Sequence, residues 1–489
     1  MRKFLFIVML AVSVCSTAHS DEPLKDHPLV KSNINLLDTW VKSQMAYKGI
    51  PGMSIAIVHD QDILYLRGLG DAEVSRGRKA TPDTLYRIAS HSKLFTAIGI
   101  MQLRDAGKLS LDDPIQKHLD WFKVKGVDPN SPPVTIRQLM THSSGIPREG
   151  GSQAYWTSFD FPTREHVIEH LSEQEAVFPT ETRWKYSNLA YALLGEVIRK
   201  VSGLSFADYV ETRIMVPLGM SNSGVTLDAI DKSKLAVGYS RRLPDGSRSA
   251  LPSIDARGMA AATGVTSSAR DLARFVAWQF QLLDGKGNDV LKASTLREMQ
   301  RLHWVDSSWT NGFGLTFMIH KYPDRVLVGH GGAYPGFRTA TFVSPEEKLG
   351  VIVLANSLDA QPYPGDTLSV VERAFDWVGG AIKQAREGRG VEHPQPHWDA
   401  LTGTYRNIWK ELHVMPLDGK LVVLSITDGN PKVTSATLLP VNGSKTQYRV
   451  AEGPPIYDLG ETVTFRIDEN GQADFMRFGK LESPRVTNE

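Results

Sequence analysis

A serine and a lysine stand three residues apart in Ser90-His91-Ser92-Lys93. On a helix that spacing puts both side chains on one face, so the lysine amine reaches the serine hydroxyl. A hydroxyl is a weak nucleophile near neutral pH and a solvated lysine is protonated. The pair becomes useful where burial or a neighbouring cation lowers the lysine pKa until the amine can take the serine proton. The run from Lys93 to Arg104 repeats apolar residues at helical spacing and stops near Gly107, which places Ser90 at a helix N-terminus. Free N–H groups there favour negative charge building up on a substrate oxygen. By itself the motif is weak: S-x-x-K arises by chance about once or twice in a chain of this size, and a serine at this place is usually a helix cap.

Two further groups carry compatible chemistry. Tyr186-Ser187-Asn188 stands just before an apolar run from Leu189 to Val201. A tyrosine set against the lysine can act as its proton partner and protonate a leaving group, and an asparagine amide can hold a substrate carbonyl. His330-Gly331-Gly332-Ala333 follows the strand-like Arg325 to Val328. Glycines on a strand let a substrate backbone approach closely, and the Ala333 N–H can pair with that of Ser90 as an oxyanion hole. Singly, a tyrosine before a helix is ordinary packing, Asn188 is an ordinary cap and His330 to Ala333 is an ordinary turn.

The elements that must position these groups are legible in outline. Met53 to His59 and Ile63 to Arg67 are β-rich runs about Asp60-Gln61-Asp62, a hairpin pattern. Helices are expected at Thr135 to Thr141, Arg164 to Leu171, Leu189 to Val201 and after Ser268, which has Asp271 as a capping-box-like partner. Strands return at Arg325 to Val328, Arg338 to Val343 and Leu349 to Leu354. Strands first, a helical middle and strands last indicate a mixed α/β (α+β) domain. Gln384 to His397 is polar and rich in Gly and Pro, a linker composition. Beyond it come short β-like runs at Tyr405, Leu412 to Met415, Leu421 to Ile426, Ala436 to Leu439, Tyr448 to Val450, Thr462 to Ile467 and Phe475 to Phe478. Turn signals such as Asp418-Gly419 and Asn470-Gly471 separate them, so a small all-β barrel or sandwich is expected.

Composition narrows the classes. Arg2 and Lys3, an apolar run from Phe4 to Cys15, and Ala18 and Ser20 make a secretory signal peptide. Its apolar stretch is short of the ~20 residues needed to span a bilayer, and the chain after it shows no such stretch. Cys15 is the single cysteine, so the chain without its leader has no thiol nucleophile, thiolate metal site or disulfide framework. A net charge of +1, with 41% hydrophobic and 22% charged residues in 489, is ordinary for a globular protein and gives no basic surface for nucleic acid.

Together the three motifs, in this order, resemble the serine β-lactamase and penicillin-binding superfamily in its class C-like branch. Val134 to Pro147, Pro217-Leu-Gly-Met220, Gly264 to Phe275 and Gly329 to Phe337 are similar to that family as well, over a span from about Pro51 to Val378. The resemblance implies a three-layer fold, an antiparallel sheet flanked by helices, with the site beside an all-helical region. It also implies acyl transfer through a serine ester. Ser90 is then the nucleophile, Lys93 and Tyr186 move protons, Asn188, His330, Gly332 and Ala333 bind substrate, and no metal or organic cofactor is used. The organisation expected is a signal peptide over 1–20, a β-lactamase-related hydrolase domain over 21–385, a linker over 386–397 and an all-β domain over 398–489. Where many relatives carry Lys-Thr-Gly, this chain has His330-Gly331-Gly332, losing a permanent cation and a hydroxyl that hold a substrate carboxylate. An exported peptidase or amidase for short peptides, periplasmic or extracellular, ranks first, with an esterase and then a β-lactamase after it. A penicillin- or partner-binding protein without turnover is the reading from another class. His166-Val-Ile-Glu-His170 matches the H-x-x-E-H pattern of one zinc protease group but lacks an evident third ligand, and the chain has no G-x-S-x-G elbow.

Overall fold

The structure, a computed structural model, describes residues 23–126, 128, 130–287, 289–360, 366–391, 393–454 and 459–486. The signal peptide read over 1–20 lies outside the described residues. Strands β1 (Gly52–His59) and β2 (Asp62–Glu73) form the predicted hairpin, with Asp60 at φ 52° turning the chain so that His59 pairs with Asp62. After them come β3 (Arg78–Lys79), the pair β4 (Tyr86–Arg87) and β5 (Thr266–Ser267), β6 (Trp304–Val305), β7 (Asn311–Phe313), β8 (Met318–Lys321), β9 (Val326–Tyr334), β10 (Phe337–Ser344) and β11 (Leu349–Ala355). Nine of these make one antiparallel sheet in the order β3-β2-β1-β11-β10-β9-β8-β7-β6. The pairing of β1 with β11, Met53 opposite Ala355, joins the first strands of the chain to the last of the sheet.

Both faces of that sheet are covered, which is why β1 and β11 are buried along their whole length and read as unbroken apolar runs. The covering helices are α1 (Pro28–Lys48), α2 (Ser92–Asp105), α3 (Ile136–Thr141), α4 (Asn188–Ser202), α5 (Ala269–Leu283) and α6 (Thr367–Ala374). Strand alternation sends Ala56, Val58, Ile352 and Leu354 into one apolar cluster with α2, α4 and α5. Ile55, Ile57, Val351 and Val353 point the other way, to Leu37, Trp40 and Val41 of α1 and Val370 and Val371 of α6. The cap expected at Ser268 is present, accepting from the Asp271 N–H on α5, and Thr135 and Gln138 make a capping box on α3.

The C-terminal strands are β12 (Gly403–Arg406), β13 (Glu411–Leu417), β14 (Lys420–Ser425), β15 (Ala436–Pro440), β16 (Gln447–Glu452), β17 (Thr462–Ile467), β18 (Ala473–Phe478) and β19 (Leu481–Pro484). They pair in sequence order as an antiparallel meander, and a bridge between Tyr405 and Arg485 brings its ends together as a barrel. Leu412, Val414, Leu421 and Val423 fill its interior beside Tyr405, Tyr448 and Phe465. The alternate residues Met415, Leu417, Val422 and Leu424 face outward, and α1 and α6 cover them.

Candidate active site

The position of Ser90 begins with backbone. β4 delivers the chain to Ala89, which holds a left-handed φ of 54°, a costly conformation for a residue with a Cβ and one that clusters at functional sites. A single 3-10 turn, Ala89–His91, carries Ser90 directly into α2. Ser92 fixes this corner from beneath, donating to the Ala89 carbonyl at 2.7 Å and accepting from the Val265 N–H at 2.9 Å. Lys93, the second residue of the helix and one turn on from Ser90, is fully buried.

Three oxygens surround the lysine Nζ: Asn188 Oδ1 at 2.8 Å, the Ala262 carbonyl at 2.8 Å and Ser90 Oγ at 3.2 Å. Burial pushes its pKa well below the usual lysine range, with the Arg148 cation adding to that and the Glu149 carboxylate opposing it. A neutral amine has two N–H bonds and one lone pair. Asn188 Oδ1 and the Ala262 carbonyl can only accept, so they take the two hydrogens and the lone pair is left for the Ser90 hydroxyl. On its other side Ser90 Oγ accepts from the Tyr186 hydroxyl at 2.9 Å. The chain of bonds thus runs from Tyr186 through Ser90 to Lys93, the direction needed to deprotonate the nucleophile.

Tyr186 is held from several sides. His142, at the left-handed end of α3, stacks on it with ring centres 4.3 Å apart, and the Arg148 guanidinium lies 5.0 Å from its ring centre. His142 Nδ1 accepts from the Ser187 N–H at 3.1 Å, so in the neutral ring the proton sits on Nε2. Burial keeps His142 neutral, well below its usual range, and pushes Tyr186 up to about 12. Ser187 caps α4 by accepting from the Ala190 N–H and donates to the Pro147 carbonyl at 2.6 Å. Asn188 follows as the first helical residue, its N–H given to the Arg148 carbonyl at 2.7 Å.

The amide of Asn188 is engaged at both ends. Oδ1 faces Lys93, and Nδ2 donates to Glu149 Oε1 at 2.9 Å. The amide expected to hold a substrate carbonyl thus gives one of its two Nδ2 hydrogens to a carboxylate. Neither Glu149 nor His142 is marked by sequence reasoning, although both lie in or beside the stretch Val134 to Pro147 that matches the family. Their only signal is nearness to the family-like His142-Ser-Ser-Gly145.

The last motif lies within β9 itself, which extends beyond the expected end at Val328 to Tyr334. At Gly332 a Cβ would stand 2.4 Å from the Ile88 carbonyl and 2.2 Å from Thr339 Oγ1. Only glycine lets the strand lie this close to the nucleophile's turn, and the next residue, Ala333, is exposed. His330 turns inward instead. It is 2% exposed, its Nδ1 donates to the Gly331 carbonyl at 2.5 Å, and burial with Lys93 and His91 nearby lowers its pKa to about 3. Neutral, with its one N–H spent, it offers a substrate carboxylate neither charge nor donor, so the substrate-binding place expected for it is corrected to a buried packing position. His91 is likewise buried, against the Ile88 carbonyl and Thr339. His166 and His170 stack edge-on at 4.1 Å, His170 pairs with Glu173 at 3.1 Å, and among the described residues no group of three or more candidate ligands gathers.

Residues 37–374 match the family model described as Beta-lactamase. Penicillin-binding protein 4* of Bacillus subtilis (strain 168) is 28% identical over 325 residues, 64% of this chain and 69% of that protein. The octameric penicillin-binding protein homologue from Pyrococcus abyssi has a TM-score of 0.63 at 26% identity, over 92% of this chain and 99% of that one. A D-stereospecific amidohydrolase from Streptomyces sp. has a TM-score of 0.57 at 25% identity, over 69% of this chain and 98% of that one.

Proposed function

The chain belongs to the beta-lactamase family and is a serine hydrolase, and from that premise we propose that it is exported and works through an acyl-enzyme on Ser90, hydrolysing short peptides or related amides. The observation that carries the mechanism is the hydrogen-bond chain Tyr186–Ser90–Lys93 around a lysine whose pKa burial lowers well below its usual range. Lys93 takes the Ser90 proton as Oγ attacks the carbonyl. The Ser90 and Ala333 N–H groups receive the oxyanion, and Tyr186, whose hydroxyl touches the same oxygen, protonates the departing nitrogen and is restored from Lys93. Water then enters, gives a proton to the same pair, and releases the acid as Ser90 regains its hydrogen.

A buried, neutral His330 in place of a permanent cation favours this reading over a β-lactamase, whose anionic substrates need a positive anchor. An esterase shares every catalytic step and differs only in its leaving group. The positively charged, then apolar N-terminus supports export to the periplasm or beyond.

Labelling protein freed of its leader with a fluorophosphonate and a fluorescent penicillin, locating the label by mass spectrometry, and assaying p-nitrophenyl esters, amino-acid anilides and nitrocefin tests all of this. Label on Ser90, and turnover that Ser90→Ala abolishes, is the expected outcome. Folded protein showing neither label nor turnover would overturn the mechanism and favour a binding protein.

A further inference from the structure

Resting on that acyl-enzyme reading, we propose that Arg87 is a positioning residue of the oxyanion hole: its guanidinium clasps the two chain segments that carry the Ser90 and Ala333 N–H groups and sets a fixed positive charge behind them. Arg87 is 1% exposed, one of the largest side chains sealed inside the protein. On β4 it lies opposite Thr266 of β5, three residues before Ser90, and donates from Nη1 to Thr266 Oγ1 at 2.9 Å. Its Nη2 donates to the Tyr334 hydroxyl oxygen at 3.4 Å, and the guanidinium lies over the Tyr334 ring, 4.8 Å from its centre. Tyr334 directly follows Ala333 on β9.

These contacts fix how the two donors stand to one another. One segment runs Arg87-Ile88-Ala89-Ser90 and the other Gly332-Ala333-Tyr334. They touch where a Cβ on Gly332 would stand 2.4 Å from the Ile88 carbonyl, and Thr339 Oγ1 of β10 donates to that same carbonyl at 3.2 Å. They touch again at Arg87 and Tyr334, so Ala333 is bracketed by the two contacts. Tyr334 is itself held, for its hydroxyl donates to the Ile254 carbonyl at 3.2 Å and its ring stacks on Phe161 at 5.6 Å. Between Arg87 and Ser90 lies the left-handed Ala89, at φ 54°. A residue so strained persists only where its surroundings over-determine it, and the clasp on Arg87 supplies that constraint from the N-terminal side.

A clasp alone does not call for a charge. Burying a guanidinium without a carboxylate is costly, and among the described residues none pairs with Arg87. Asp255, whose charge reaches Tyr334, accepts from the Leu227 and Arg257 N–H groups, and Arg87 Nε is buried with no hydrogen-bond partner. The uncancelled charge acts where negative charge appears during the reaction, on the carbonyl oxygen between Ser90 and Ala333. Burial protects it from screening by solvent, and it needs no reorganisation as the oxyanion forms. Sealed from the cleft, Arg87 touches no substrate and acts through the two segments it joins, so it bears on the barrier of the reaction rather than on substrate binding.

The test measures kcat and KM on p-nitrophenyl acetate, and the inhibition constant of phenylboronic acid, in wild type, Arg87→Met, Arg87→Lys and Tyr334→Phe. Ser90 Oγ adds to the boron while its proton passes to Lys93, and the tetrahedral anion formed stands in for the oxyanion state. Acylation and deacylation both pass through an oxyanion, so kcat registers the loss whichever is slower. Arg87→Met is expected to lower kcat ~10- to 100-fold, against the ~100- to 1,000-fold that loss of a whole donor costs, with KM within about twofold of wild type. The inhibition constant rises by a similar factor. Arg87→Lys, which keeps the charge but not the planar fork, regains part of the loss, and Tyr334→Phe, which keeps the ring but not the hydroxyl, shows a smaller fall in kcat. Thermal melts and fluorophosphonate labelling report that each variant is folded with Ser90 in place. Wild-type kcat and boronate affinity in Arg87→Met, or a loss confined to KM, overturns the positioning role while leaving the acyl-enzyme intact, and Arg87→Lys no more active than Arg87→Met overturns the part played by charge. If Arg87→Met does not fold, Tyr334→Phe decides, since wild-type kcat and boronate affinity there overturn the role and a fall in both upholds it. Absence of label and of turnover in wild type overturns both the role and the acyl-enzyme.

Discussion

Burial drives the Lys93 pKa down, and the Glu149 carboxylate pulls it partly back up. On the proposed mechanism the working form of Lys93 is the neutral amine, so kcat/KM is expected to rise with pH as the residue loses its proton and to level once it is neutral. Removing the carboxylate removes the term that favours the ammonium. Glu149→Gln is therefore expected to shift the acid limb of the kcat/KM profile to lower pH, read on an uncharged ester so that the substrate contributes no titration. A limb that stays in place or moves up would show that Glu149 does not bear on Lys93. At this scale the sequence shows Ser90, Lys93 and Tyr186 plainly, because short motifs carry them and helix geometry alone brings the first two together. It does not show Glu149 or His142, since nothing local distinguishes a glutamate in a loop from a solvated one. Their roles come from the fold, which lays the loop after α3 against the start of α4. The position of His330 follows from the strand: the residue chosen for its polar ring faces inward, and the unadorned Gly332 makes the close approach to Ser90.

Among the elements, α4 does the most positioning, because its first turn carries Asn188 and its cap stands between Tyr186 and the loop from Pro147 to Glu149. Ser187 links these parts through the Ala190 N–H and the Pro147 carbonyl, beside the bond from the Asn188 N–H to the Arg148 carbonyl. Ser187→Ala should destabilise the fold by about 1 kcal/mol for the lost cap, seen in urea unfolding, and should lower kcat/KM as well, because the loop bearing Glu149 loses an anchor. A stability loss with unaltered kcat/KM would confine Ser187 to capping. Helices with a clean apolar period, such as those after Lys93, Leu189 and Ser268, are legible to within a residue or two. Helix α1 is not, because polar Asn33 and Gln44 interrupt its buried stripe. The eighth barrel strand, Leu481–Pro484, is hidden for a related reason: it is short, carries Glu482 and ends in proline.

For the whole molecule, α1 matters more than its place at the start of the described chain suggests, since it is packed on the central sheet and on the barrel at once. Trp40 is fully buried, edge-on to Trp377 at 5.5 Å, and donates its indole N–H to the Asp428 carbonyl of the barrel at 2.8 Å. Gln44 donates to the Thr427 carbonyl and Asn33 to Asp418, so three separate turns of one helix are tied to the C-terminal strands. The unbroken run Leu421 to Leu424 is the trace this leaves in the sequence, for a strand that alternates apolar residues on both faces must be covered on both. What covers it cannot be read locally, because the partner lies nearly the length of the chain away. Truncating Trp40 to alanine should cost about 3–5 kcal/mol, and that loss falls on the junction rather than on Ser90. Trp40→Ala is therefore expected to melt at lower temperature and to be cut faster by protease between the sheet domain and the barrel, while the nucleophile still takes a fluorophosphonate in the folded fraction. Cleavage and melting equal to wild type would mean that the barrel is held by its linker alone, and that the apolar face shared by α1, α6, β13 and β14 contributes nothing to keeping the two halves together.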